Sequence, residues 1–120
     1  MTMKANSRLV NGVTVVDLSG SITSDEGSRL LRNTVQELSS QGSRNILLNL
    51  GEVTRVDTSG IGELVSAFTS VRSAGGDLKL SNPTREVADL LQITKLCTVF
   101  DVQQDEASAL AAFEEKSAAI

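Results

Sequence analysis

The stretch from Asn45 to Val71, NILLNLGEVTRVDTSGIGELVSAFTSV, changes its hydrophobic period half-way along. Its first six residues form a nearly continuous apolar run, which is short enough to predict a strand covered on both faces. From residue 61 onward, apolar side chains recur at the spacing of one helix face: Ile61, Leu64, Val65, Phe68 and Val71. The stretch therefore predicts a strand followed by a helix, the repeating unit of an α/β domain.

On the N-terminal side of this stretch, the sequence predicts a hairpin and a helix. Two apolar runs, residues 7–10 and 13–18, are joined by Asn11-Gly12, the dipeptide preferred in two-residue hairpin turns. Residues 23–26, Thr-Ser-Asp-Glu, fit a capping box that opens a helix ending near Gly42.

On the C-terminal side, Gly75-Gly76 ends the second helix, and Asp77–Leu80 predicts a short strand. A short helix after Pro83, a last strand over Thr98–Val102 and a final helix follow. We expect Asp105 to cap that final helix, with Leu110, Ala111 and Phe113 turned toward the core.

Together these elements predict one α/β domain over residues 1–120, with a structured core of about residues 7–116. The expected sheet is mixed and mostly parallel, with four to five strands after an N-terminal hairpin and about four packed helices.

The composition excludes several classes of function. The 120 residues include no histidine, so histidine-based catalytic triads and zinc sites are ruled out. We expect no catalysis, cofactor or metal. The net charge is 11 − 15 = −4, and an acidic surface disfavours nucleic acid and anionic membranes as partners. Cys97, the single cysteine, is expected to pack as a small hydrophobe. The lack of an apolar leader or membrane-spanning run predicts a cytoplasmic protein without membrane insertion.

The junction between the predicted strand and helix, Asp57-Thr58-Ser59-Gly60-Ile61-Gly62, carries the most information about function. Asp, Thr and Ser commonly cap helices, so capping alone is one reading of this segment. However, one helix start needs one cap, whereas three candidate oxygens stand in a row. Each of the two glycines also costs the helix about 1 kcal/mol relative to alanine. A bare first turn would allow another molecule to approach the backbone closely.

This segment resembles the signature of the sulphate transporter and anti-sigma factor antagonist (STAS) domain, which reads Asp-Ser/Thr-Ser/Thr-Gly-Leu/Ile-Gly. The similarity extends over nearly the whole chain. It includes Leu18–Ile22 before the first helix, Ile46–Leu50 as central strand, Gly75-Gly76-Asp77 before the next strand, and the acidic last helix.

The resemblance implies a bacterial partner switch in transcription regulation. Free-standing members bind an anti-sigma factor that is also a serine/threonine kinase, and so release the sigma factor. The kinase phosphorylates the antagonist and ends binding, and a serine phosphatase restores it. By this resemblance the phosphate acceptor is Thr58, with Ser59 as the fallback.

The resemblance also implies a partner-binding surface made of Asp57, Thr58, Ser59, Gly60, Ile61, Gly62 and Thr23. Many members carry Gly-x-Leu-Asp at the end of the second strand, whereas this chain has Gly20-Ser21-Ile22-Thr23. The second acidic neighbour of the acceptor is therefore replaced by the hydroxyl of Thr23.

Two other functions compete with the partner switch. A nucleotide-binding enzyme is disfavoured because the chain has no Gly-x-x-x-x-Gly-Lys-Ser/Thr loop. The alternative that keeps the fold is a docking subunit of a lipid-transport or stress-sensing complex, without sigma-factor regulation. Absence of phosphate from both Thr58 and Ser59 after treatment with candidate kinases would favour that alternative.

Overall fold

The computed structural model describes residues 3–23 and 26–118, with side chains described as far as Glu114. It contains five strands, β1 Lys4–Val10, β2 Val13–Ile22, β3 Asn45–Val56, β4 Asp77–Ser81 and β5 Val102–Gln103. The helices are α1 Glu26–Ser40, α2 Thr58–Ser73, α3 Arg85–Ile93 and α4 Glu106–Ala118, with a short 3₁₀ helix over Leu96–Thr98.

The strands form one sheet in the order β1-β2-β3-β4-β5. The pair β1–β2 is antiparallel, and the other three pairs are parallel. The predicted α/β class and mixed, mostly parallel sheet are confirmed.

The turn of the hairpin is the predicted one. Asn11 and Gly12 have φ angles of 50° and 79°, and two consecutive positive values define the type I′ turn that suits strand twist. Residue pairing continues from Val10–Val13 at the turn to Lys4–Ser19 at the far end. The hairpin is therefore longer than the apolar runs alone predict.

The main core lies on the face of the sheet that carries α1, α2 and α3. Strand residues Val16, Leu18, Ile46, Leu48 and Leu50 are buried there against apolar residues of those three helices. The opposite face carries α4, which contributes Ala109 and Phe113 to a smaller cluster with Val13, Val15 and Leu47. Because Ile46, Leu47 and Leu48 are all fully buried, β3 is covered on both faces where its sequence is continuously apolar, as predicted.

Helix ends follow the predicted signals where these residues are described. Gly42 and Gly75 adopt φ angles of 92° and 88° just after α1 and α2, as left-handed terminators do. Asp105 Oδ1 accepts a hydrogen bond from Ser108 N at 2.8 Å and caps α4. This bond lowers the pKa of Asp105. The proposed capping box at residues 23–26 includes Ser24 and Asp25, which lie outside the described residues.

Three expectations near the C-terminus are wrong. The predicted strand over Thr98–Val102 is mostly a 3₁₀ turn and loop, and β5 consists of Val102 and Gln103 alone. Cys97 is exposed and does not pack as a small hydrophobe. Ala111 is exposed, and Ala109 occupies the core position in its place.

None of the helices within residues 3–23 and 26–118 combines the length and the apolar character that crossing a lipid bilayer requires.

Candidate functional site

The candidate site lies where the parallel strands β2 and β3 end side by side. Their last residues, Ile22 and Val56, are paired in register, and α1 and α2 begin a few residues after them. The backbone N–H of Asp57 donates to the carbonyl oxygen of Ile22 at 3.3 Å. Because carboxyl ends of parallel strands meet at one edge of a sheet, the topology brings Thr23 close to the segment 57–62.

Asp57 caps α2. Its backbone is extended, with φ −102° and ψ −173°, and its carbonyl accepts the first helical bond, from Ile61 N at 2.9 Å. The Asp57 Oδ1 atom accepts from Gly60 N at 2.9 Å. The same oxygen accepts from the Ser59 hydroxyl at 2.8 Å. The capping reading of this aspartate is therefore correct.

The two adjacent hydroxyl residues have different surroundings. The Ser59 hydroxyl donates to Asp57 and lies 3.4 Å from Ser28 Oγ on α1. Ser28 is buried and donates its own hydroxyl to the Thr23 carbonyl at 2.9 Å. Both residues are exposed, but the Thr58 hydroxyl makes no hydrogen bond to any residue that the structure describes. The two hydroxyls therefore differ in hydrogen bonding and not in exposure: that of Ser59 is held by Asp57, and that of Thr58 is held by no described residue.

The two glycines of the segment serve different purposes. Gly60 is buried, and a Cβ added to it would lie 2.0 Å from the Ile22 carbonyl oxygen and 2.9 Å from Val56 Cγ1. Strand β2 of the same protein is what closely approaches this backbone. Packing against β2 therefore accounts for the glycine, and no binding partner is needed to explain it. Gly62 is exposed, and a Cβ there would meet nothing within 4 Å. Only at Gly62 does the bare backbone face open space.

One helical turn beyond the hydroxyl contact, a salt bridge joins the same two helices. Arg32 Nε and Nη2 donate to the two carboxylate oxygens of Glu63, each at 3.0 Å. These hydrogen bonds raise the pKa of Arg32. Side-chain exposure is 54% for Arg32 but only 11% for Glu63. Ser28 and Arg32 are one turn apart on α1, as Ser59 and Glu63 are on α2, so two polar contacts fix one helix against the other.

Sequence reasoning missed Ser28, Arg32 and Glu63. Arg32 resembles a residue of a solvated helix face, and Ser28 carries no motif. The available signal was the matching four-residue spacing of polar side chains on two helices that must pack together. That spacing indicates contact only when the relative position of the helices is known.

Within residues 3–23 and 26–118, no group of three or more histidine, cysteine, aspartate or glutamate side chains could hold a metal ion. What the segment presents is an exposed hydroxyl at the positive end of a helix dipole, beside a carboxylate. Such a surface suits recognition and modification by another protein.

The chain matches the STAS domain family profile over residues 4–109. The anti-sigma-B factor antagonist of Bacillus subtilis is 33% identical over 73 residues, which cover 61% of this chain and 66% of that protein.

Two solved structures share the fold. A Thermotoga maritima protein proposed to be an anti-sigma factor antagonist has a TM-score of 0.83 at 23% identity, covering 90% of this chain and 92% of that one. The Bacillus cell fate determinant SpoIIAA in its phosphorylated form has a TM-score of 0.70 at 19% identity, covering 92% and 99% of the two chains. With the Asp57–Gly62 signature at the start of α2, the family match shows that the chain belongs to the STAS domain family and is similar to proteins named anti-sigma factor antagonists.

Proposed function

We propose that this protein is a phosphorylation-controlled anti-sigma factor antagonist of the cytoplasm. Its unmodified form binds an anti-sigma factor that is also a serine/threonine kinase, which frees the sigma factor. Transfer of a phosphoryl group to Thr58 ends the interaction, and a serine phosphatase reverses the modification. The observation that carries this proposal is Thr58 itself, the exposed first residue of α2, whose hydroxyl makes no hydrogen bond to a described residue.

The surroundings of the two hydroxyls favour Thr58 over Ser59 as acceptor. A kinase must bring the acceptor oxygen into line with the transferred phosphoryl group. The Ser59 oxygen is held by Asp57 and lies against Ser28, so its use would break the hydrogen bond from Ser59 to Asp57. The Thr58 hydroxyl can be approached without disturbing any hydrogen bond of the described residues.

A phosphate on Thr58 is compatible with the folded domain. It carries a charge of about −1.5 to −2 and would stand at the helix N-terminus, where the dipole stabilises negative charge. The fold of the free protein should therefore survive modification. An interface is different, because the phosphate and the Asp57 carboxylate would both have to be desolvated against the partner.

The comparisons support this proposal at the level of relatives. The Bacillus subtilis relative is named for antagonism of an anti-sigma factor. The structural neighbour SpoIIAA has been solved in unphosphorylated and phosphorylated forms. Both facts concern those proteins and not this chain. They make control of binding by phosphorylation the first hypothesis to test for this chain. In this proposal the chain is the substrate and binding partner of enzymes and catalyses nothing itself.

The proposal can be tested with the serine/threonine-kinase-type anti-sigma factors of the source organism, each purified and incubated with ATP and this protein. Intact-mass and peptide mass spectrometry should find one phosphate on the wild type and on Ser59→Ala, and none on Thr58→Ala. Phosphate on Ser59 of the Thr58→Ala variant would instead identify Ser59 as the acceptor. Absence of phosphate from the wild type with every kinase would instead favour a docking subunit of a lipid-transport or stress-sensing complex.

A further inference from the structure

A groove of about 240 Å³ lies between α3 and the end of β3, beside the candidate site. Its lining residues are Val56, Glu86, Val87, Asp89, Leu90 and Ile93. Val87 is buried, and Val56 and Leu90 are half-buried, so these residues form an apolar floor. The groove is large enough for one or two side chains from another molecule.

Ile93 stands at the rim of the groove with 78% of its surface exposed, and it is among the large apolar residues that the fold leaves in water. Its place is on the last turn of α3, where a polar residue would serve the helix equally well. An exposed isoleucine beside an apolar groove suits contact with a partner better than it suits the free protein.

The charged residues of the groove have one sign. Glu86 and Asp89 are exposed on α3, and neither carboxylate takes part in a salt bridge within the described part of the chain. No lysine or arginine lines the groove. Two carboxylates without counter-ions beside an apolar floor are complementary to an apolar side chain flanked by lysine or arginine.

The groove is continuous with the start of α2. Val56 lines the groove and directly precedes Asp57, and its Cγ1 atom is the atom that a Cβ at Gly60 would meet at 2.9 Å. Thr84, the cap of α3, donates its hydroxyl to the Val53 carbonyl at 3.1 Å and fixes α3 along β3. A protein that covers Thr58 can therefore reach the groove without crossing another element of the fold.

We infer that this groove is a second part of the docking surface, and that it receives an apolar side chain flanked by basic residues from the same protein that binds at Thr58. This inference rests on the proposed function for the identity of that protein.

The test is calorimetric titration of unphosphorylated variants with the purified kinase that phosphorylates the wild type. Ile93→Ser removes the rim contact, and Asp89→Lys reverses one charge of the groove. Glu114→Lys makes the same charge change at an exposed site on α4, across the sheet. All three positions are exposed, and urea unfolding of each variant checks that the fold is retained.

We expect Ile93→Ser and Asp89→Lys each to weaken binding by about tenfold, with Glu114→Lys unchanged. Affinity of the wild type should also fall with added salt, and less steeply for Asp89→Lys. A Thr58→Asp variant, which imitates the phosphate charge, should also bind weakly. Wild-type affinity for both groove variants, together with weak binding by Thr58→Asp, would refute the role of the groove and leave the proposed function standing. If Asp89→Lys and Glu114→Lys weaken binding equally, the effect comes from the net charge of the protein, and this result would also refute the role of the groove in docking.

Discussion

Replacing Gly60 by alanine should destabilise this protein, although alanine is the better helix former. In an open helix interior the exchange would add about 1 kcal/mol to the free energy of unfolding. Here the new Cβ would stand 2.0 Å from the Ile22 carbonyl oxygen and 3.0 Å from the Ile22 carbonyl carbon. Since backbone atoms of a central strand cannot turn aside, the start of α2 must move by about 1 Å or more.

That movement disturbs two hydrogen bonds at the start of α2. They are the bond from Asp57 N to Ile22 O at 3.3 Å and the bond from Gly60 N to Asp57 Oδ1 at 2.9 Å. Overpacking costs about 1–3 kcal/mol, and a Cβ placed 2.0 Å from a backbone oxygen belongs in the upper part of that range, about 2–3 kcal/mol. After the gain in helix propensity is subtracted, we expect a net loss of about 1–2 kcal/mol.

Gly62 provides the matched control, because it lies on the same helix and a Cβ there meets nothing within 4 Å. Gly62→Ala should therefore raise the free energy of unfolding by about 0.5–1 kcal/mol. Urea unfolding followed by circular dichroism measures the free energy of unfolding of both variants. The free energy of unfolding falls by about 2 kcal/mol per molar urea for a domain of this size. The urea concentration at the unfolding midpoint should therefore fall by about 0.5–1 M for Gly60→Ala and rise slightly for Gly62→Ala. A Gly60→Ala midpoint at or above that of the wild type would refute the packing explanation.

Two further predictions concern charged side chains. Arg32→Ala should lower the urea midpoint, because it leaves the Glu63 carboxylate, which is 11% exposed, without its two hydrogen bonds. Arg29→Ala, on the exposed face of α1, should change the midpoint little, and equal midpoints for the two variants would contradict the pairing. Stability should also fall in acid through Asp17, whose pKa is held below its ordinary 3.8 by hydrogen bonds from Arg8. The stabilising effect of such a lowered pKa is present above pH 3.8 and is lost as the pH falls through the folded-state value. Asp17→Asn should therefore lose less stability in acid than the wild type does. An acid-unfolding curve identical to that of the wild type would count against this role of Asp17.

Much of the fold could be predicted because its signals are local. Asn11-Gly12 allows the positive φ angles of the hairpin turn, and the apolar run after Asn45 has no stable place except a doubly covered strand. The helical spacing from Ile61 and the left-handed glycine at position 75 define α2 and its end. Each of these features depends on a few consecutive residues and is independent of the rest of the chain.

The errors arise where contacts distant in sequence decide the outcome. β3 continues to Val56 through the exposed residues Glu52, Thr54 and Arg55, because pairing with β2 supports a segment that its own hydrophobic pattern does not. The region around Val99 has β-branched residues, yet the sheet offers it only the short edge beside Leu80 and Ser81. Propensity there is outweighed by the lack of a pairing partner.

The candidate site likewise has features that the sequence reveals and features that only the packed structure reveals. The signature residues Asp57 to Gly62 could be identified from the sequence, and the capping role of Asp57 followed from its type and place. The difference between Thr58 and Ser59 could not, because it depends on Ser28 of another helix. The role of Gly60 was equally hidden, since only the packed structure brings the Ile22 carbonyl against it.

We expect a phosphate on Thr58 to end binding to an anti-sigma factor kinase while the domain stays folded. The most direct measurement is the calorimetric dissociation constant of one purified kinase for the unphosphorylated protein and for the protein phosphorylated to completion, with circular dichroism spectra of both. We predict unchanged spectra and an affinity reduced by about a hundredfold or more, as expected when an unpaired charge enters an interface. Equal affinities for the two forms would contradict the account.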